Sequence, residues 1–142
     1  MSLTHKHLSR RFTELFGPGD PARAHDVLSP DVVVHGTTAD GEVRGVDQVM
    51  AFIRDYRRAF PDALSTVEDQ VAEGDRVVTR WRARGTHRGD LGSIPATGRR
   101  IDVEGITIER IAAGRIAEVW VVRDWLGLLR QLGALPDPVP VE

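Results

Sequence analysis

The sequence contains no cysteine and no asparagine, a single lysine (Lys6) and a single tyrosine (Tyr56). Without cysteine there is no disulfide framework, no thiolate nucleophile and no cysteine-ligated metal. Lys6 stands near the N-terminus, where chains are commonly mobile, so a buried Schiff-base lysine is not expected. No apolar run reaches the roughly 18 residues that a membrane span needs. The opening MSLTHKHLSRRF lacks the apolar stretch of a secretory signal, so a cytoplasmic location is expected. A surplus of either charge is missing as well. Nineteen Lys+Arg against 21 Asp+Glu leave −2 overall, which offers no electrostatic case for nucleic acid as a partner. Any catalysis must rest on Asp, Glu, His, Arg, Ser or Thr.

What is present describes an ordinary soluble domain. The 142 residues are 41% hydrophobic and 28% charged, which is typical of globular chains. That length suggests one domain over residues 1–142, long enough to enclose both a core and a pocket. Basic charge is carried almost wholly by Arg, and Ala, Gly, Val and Asp are plentiful. Such a bias is associated with GC-rich bacterial genomes.

Periodicity divides the chain in two. Leu8, Phe12, Leu15 and Phe16 recur at helical spacing within residues 3–16, and Gly17-Pro18-Gly19 ends the pattern. Asp20-Pro21 reads as the N-cap and first position of a short helix over 20–28. Asp31–His35 is a β-branched strand, followed by a turn at Asp40-Gly41 and a short extended piece over 42–44. Val46, Val49, Met50, Ile53, Tyr56 and Phe60 predict a helix over 46–60, stopped by Pro61. Beyond Pro61 the period becomes two, with strands predicted over 64–72, 76–87, 100–111 and 115–123. Glu73-Gly74-Asp75 and Ala113-Gly114 are hairpin turns, and Leu91–Gly98 is a longer loop. A last helix is expected over 125–132, and residues 134–142 form an extended tail. Helices followed by an antiparallel meander define an α+β domain.

Six segments point further: Ala59-Phe60-Pro61-Asp62, Glu73–Val78, Gly85-Thr86-His87-Arg88-Gly89, Ala96–Arg99, Gly114–Trp120 and Asp124–Gly133. Together they span most of residues 10–133, and in this order the sequence resembles the SnoaL-like polyketide cyclases of the nuclear transport factor 2-like superfamily. The resemblance implies a strongly bent, mostly antiparallel sheet closed by helices into a cone, and a homodimer through the sheet. It implies cofactor-free intramolecular aldol closure of a polyketide ester, with no metal. The acid/base aspartate of the family corresponds to Asp124.

The residues themselves also lead to Asp124. It would share a face of the last strand with Ile116, Glu118, Trp120 and Val122. Flanked by Trp120 and Trp125, it is expected to be partly desolvated, which strengthens a carboxylate as a base. As an Asp standing where strand becomes helix, it also reads as an N-cap. His35 and His87 are further acid/base candidates if they enter the cone, with a structural or rim position as the alternative. Trp81, Trp120, Phe60 and Tyr56 are expected to wall the pocket against a small, apolar, carbonyl-bearing ligand. Arg80, Arg82 and Arg84 alternate away from Trp81 and read as a solvated or dimer-facing stripe.

Neighbouring chemistries lack their residues. Ketosteroid isomerases use a tyrosine on the first helix, where this chain reads Phe12-Thr13-Glu14-Leu15-Phe16. Limonene-epoxide-hydrolase-type sites need Arg-x-Asp, where Arg110 is followed by Ile111-Ala112. No Gly-x-Ser-x-Gly elbow occurs. An amide in the pocket could come only from Gln48, Gln70 or Gln131. A non-catalytic ligand-binding or dimerisation domain of the same fold is the alternative function.

Overall fold

A computed structural model describes residues 2–38 and 41–135. Helix α1 (Ser2–Glu14) buries Leu8 and Phe12, and Leu15 is buried just beyond it. Lys6 is part of this helix, and its carbonyl accepts a hydrogen bond from Gln70 Nε2 at 3.0 Å. The N-terminal segment is therefore tied to the sheet and not loose as expected. Asp20 accepts from the Ala22 amide at 3.0 Å, and Pro21 opens a turn of 3-10 helix (Pro21–Arg23) that runs into α2 (Ala24–Val27). Strand β1 (Leu28–Thr38) starts earlier than the apolar run suggested. Pro30 falls where the register against the last strand shifts, between Leu28↔Ile116 and Val33↔Glu118, so its missing N–H interrupts no regular ladder.

The remaining elements are β2 (Gly41–Arg44), α3 (Val46–Ala59), β3 (Leu64–Glu73), β4 (Arg76–Thr86), β5 (Arg100–Ala112), β6 (Arg115–Arg123) and α4 (Trp125–Gln131). The expected turn at Asp40-Gly41 lies partly outside the described residues, as does the tail beyond Leu135. One sheet holds all six strands in the order β2-β1-β6-β5-β4-β3. Its pairs are antiparallel except β1 with β6, which is parallel. Ala113 and Gly114 both take positive φ (51° and 75°), as a two-residue hairpin between right-twisted strands requires.

The two faces of the sheet differ. Val77, Trp81 and Ala83 of β4, and Ile101, Val103 and Ile111 of β5, are buried toward the helices. Val78, Ile106, Ile108 and Val122 stay exposed on the opposite face. Register shifts between Val67 and Asp69 and between Arg110 and Ile111 add bends that period-two patterning cannot announce. The result is the α+β cone, with its concave side under α1 and α3.

The β4–β5 loop is fixed at both ends. The His87 amide donates to the Arg99 carbonyl and the Gly98 amide to the His87 carbonyl, each at 2.8 Å. Arg88 and Gly89 donate to the Ala59 carbonyl at the end of α3 (2.9 and 3.2 Å). A Cβ at Gly89 would overlap the Arg58 carbonyl, so only glycine allows this approach.

Candidate active site

The concave side forms a cavity that opens to solvent at its mouth. Phe12 of α1 and Phe16 just beyond it, Phe52 and Tyr56 of α3, and Trp81 and Val103 of the sheet form apolar walls. A second recess shares Phe52, Tyr56, Phe60, Arg123 and Leu128 with it and adds Asp90, Leu91 and Gly92. The tip of the β4–β5 loop therefore lies beside the mouth. Trp81 owes its place to Gly105, its cross-strand partner, since a Cβ there would overlap the indole ring.

Asp124 and Arg123 supply charge at the mouth. β6 ends at Arg123 and α4 begins at Trp125, with Asp124 as the N-cap. Asp124 Oδ1 accepts the Gly127 amide at 2.8 Å. Gly127 is also the residue that makes room for the carboxylate, because a Cβ there would run into it. The expected desolvation of Asp124 is not found: the residue is exposed. The reason is that the strand stops before it, so the cap and not the pleat directs the side chain. Trp120 lies away from it on the other face, and Trp125 is itself 39% exposed.

Arg123 is the more unusual group. Its guanidinium stands 5.7 Å from the centre of the Trp81 ring and 5.0 Å from that of Trp125, a placement in which the ring faces attract a cation. Its Nε is buried without a hydrogen-bond partner. No carboxylate among the described residues forms an ion pair with it. Burial pulls the guanidinium below its ordinary pKa, yet an arginine so perturbed remains cationic at neutral pH. Burial likewise pushes the Tyr56 phenol up, while Arg123 and Arg57 pull it back.

The sequence-predicted residues divide between the two faces. Trp81, Phe60, Tyr56 and Asp124 line the cavity. His35 and Trp120 do not; their neighbours Val34 and Val121 line it instead. The His35 and Trp120 rings stack at 5.4 Å, and His35 is held between Glu118 Oε2 (2.7 Å) and Glu42 Oε1 (3.1 Å). The hydrogen bond to His35, followed by Arg110, keeps the Glu118 carboxyl below the usual range. Both strands are apolar on both faces, so alternation alone could not choose their phase. His87 is fully buried behind Phe60 (ring centres 5.4 Å apart) and lies outside the cavity lining. Its Nδ1 accepts the Thr97 amide at 3.2 Å and contacts Thr97 Oγ1 at 2.9 Å, so it anchors the loop. Gln48, Gln70 and Gln131 are all engaged elsewhere and none lines the cavity.

Two residues escaped the sequence reading. Arg123 was not singled out from the sequence. Glu109 is fully buried under α1, where Ser9 (2.6 Å) and Thr107 (3.0 Å) donate to its Oε1. Burial raises its carboxyl to about 7 against these hydrogen bonds. The signal was available: along Val103, Gly105, Thr107, Glu109 and Ile111, a carboxylate interrupts an inward-facing row. Among the described residues, no three histidine or carboxylate side chains converge as a metal would require.

An apolar cavity in a bent-sheet cone, with a carboxylate and an unpaired cation at its mouth, defines a small-molecule site of the nuclear transport factor 2-like kind. A sequence profile of the SnoaL-like polyketide cyclases matches residues 6–132. The chain is 34% identical over 139 residues to the aklanonic acid methyl ester cyclase DauD of Streptomyces sp. (strain C5), covering 94% of this chain and 83% of that one. It is 32% identical over 142 residues to the aklanonic acid methyl ester cyclase DnrD of Streptomyces peucetius, covering 94% and 92%. The structure of TsrD from Streptomyces laurentii superposes with a TM-score of 0.85 at 34% identity, covering 95% and 98%. The chain belongs to the SnoaL-like polyketide cyclase family.

Proposed function

We propose that the protein closes a ring in a polyketide-derived ester by an intramolecular aldol reaction, with Asp124 as the acid/base group. The observation that carries this reading is that the mouth of one apolar cavity is lined both by the Asp124 carboxylate and by an Arg123 guanidinium that forms no ion pair with a carboxylate. Asp124 takes a proton from a carbon flanked by two carbonyls, and the electron pair moves onto the enolate oxygen. Arg123, flanked by the two indole rings, faces that oxygen as its negative charge develops. The enolate carbon then bonds to the carbon of a second carbonyl in the same folded substrate. The oxygen of that carbonyl receives the proton back from Asp124. Substrate and product are isomers, and no co-reactant enters. The aromatic walls hold the two carbonyl segments close together.

Names of the curated relatives suggest a first substrate. Incubated with aklanonic acid methyl ester, the protein is expected to yield a product of unchanged mass that separates chromatographically from the starting ester. Asp124→Asn should bind the ester and not convert it. Full turnover by Asp124→Asn would remove this residue from the mechanism.

A further inference from the structure

We infer that the inner end of the cavity is a specificity site for a hydrogen-bond donor on the substrate, formed by the Thr107 hydroxyl and oriented by Glu109. This rests on the reading above that the cavity is the substrate site, and it concerns the end away from Asp124. On β5, Thr107 lies two residues beyond Gly105, which pairs with Arg123, so it sits about 7 Å further in. Its side chain lines the cavity, as does that of Thr13.

The direction of each hydrogen bond there follows from the donors available. Gln70 Nε2 can only donate, and it does so to Thr79 Oγ1 at 3.1 Å. Ser9 Oγ donates to Glu109 Oε1 at 2.6 Å. While Ser9 donates to an ionised Glu109, its 2.6 Å contact with Thr79 is completed by the Thr79 hydroxyl proton. Thr107 Oγ1 donates to the same Glu109 oxygen at 3.0 Å. Thr13 Oγ1 donates to the Ser9 carbonyl at 3.1 Å. Each hydroxyl has one proton, so Thr107 and Thr13 have spent theirs within the protein. Where their oxygens meet the cavity, lone pairs are what they offer. With Glu109 ionised, its Oε1 receives both donated bonds and its Oε2 is buried with no partner.

A ligand hydroxyl or N–H meeting Thr107 completes a hydrogen bond, whereas a carbonyl or ether oxygen meets a second acceptor. Glu109 is a positioning residue in this arrangement, since it acts through Thr107. The well accordingly selects polyketides that carry a hydroxyl on the part entering first, and rejects their O-alkylated or oxidised counterparts.

Indole and benzofuran form a matched probe pair, equal in shape, one with an N–H and the other with a ring oxygen. We expect titrations followed by amide NMR to show wild type binding indole at least fivefold more tightly, with shifts centred on Thr107. Thr107→Val should bring the two affinities together, and Thr107→Ser should restore the preference. Glu109→Gln should weaken the preference, because its amide can donate to Thr107 and free that hydroxyl. Asp124→Asn should leave the preference intact, which separates this site from the acid/base reading. No preference in wild type, no binding at the inner end, or a preference that survives Thr107→Val would overturn the inference.

Discussion

Asp124 has two physically separable jobs, capping α4 through Oδ1 and presenting a carboxylate to the cavity. The cap was legible from its position between strand and helix. Removing it with Asp124→Ala should cost about 0.5–2 kcal/mol, whereas Asp124→Asn should cost little. Gly127 offers a sharper probe, because the added methyl of Gly127→Ala would occupy the space of the carboxylate. Alanine favours a helix over glycine by up to about 1 kcal/mol, which offsets part of the disturbed cap. Thermal unfolding of Gly127→Ala is therefore expected within about 1 kcal/mol of wild type, while turnover falls to the level of Asp124→Asn. A folded Gly127→Ala variant with full turnover would show that the position of this carboxylate does not matter. Arg123 was not legible at this scale. An arginine at a strand end reads as solvated, and only the two indoles, supplied by β4 and by the residue opening α4, reveal that it is enclosed.

Among the elements, β4 and β5 were the most readable, since Val77, Thr79, Trp81 and Ala83 alternate inward with arginines facing out. β6 misled for a physical reason. Val119 and Val121 are as apolar as Trp120 and Val122, so the period was evident and the phase was not. Glu109 shows a different limit: its partner Ser9 lies 100 positions away on α1, a separation that local patterning cannot bridge. Its placement has a measurable consequence for how α1 is held. The folded chain raises the Glu109 carboxyl from 4.5 to about 7 with no charged side chain contributing, so folding favours the protonated form. The contribution is most favourable below pH 4.5 and is lost progressively as pH rises to about 7, a swing of about 3 kcal/mol. Glu109→Gln does not titrate. Relative to wild type its stability should improve across that interval and level off above it, as chemical denaturation at a series of pH values would record. A difference independent of pH would show that the carboxyl is not perturbed.

For the molecule as a whole, the outer face of the sheet bears a continuous apolar patch. Val78 pairs with Ile108, Ile108 with Trp120, and Ile106 with Val122. Ile106 is 45% and Val122 74% exposed. Such a patch on a lone sheet face invites cover, and we expect a second copy of the chain to provide it. Sedimentation at micromolar concentration should give a dimer, and Ile106→Glu combined with Val122→Glu should give a folded monomer. A monomeric wild type would contradict this. The cone itself was legible only through the family resemblance, because the register shifts that bend its strands depend on how two strands meet. The β4–β5 loop adds a kinetic dimension. Its roots are fastened to one another and to the end of α3, while Asp90, Leu91 and Gly92 lie at the mouth of the cavity. Lengthening or shortening that tip should change how fast a bulky molecule is admitted and how long it is retained. The cavity walls around Asp124 and Thr107 stay as they were, so residence time can change while the interior does not.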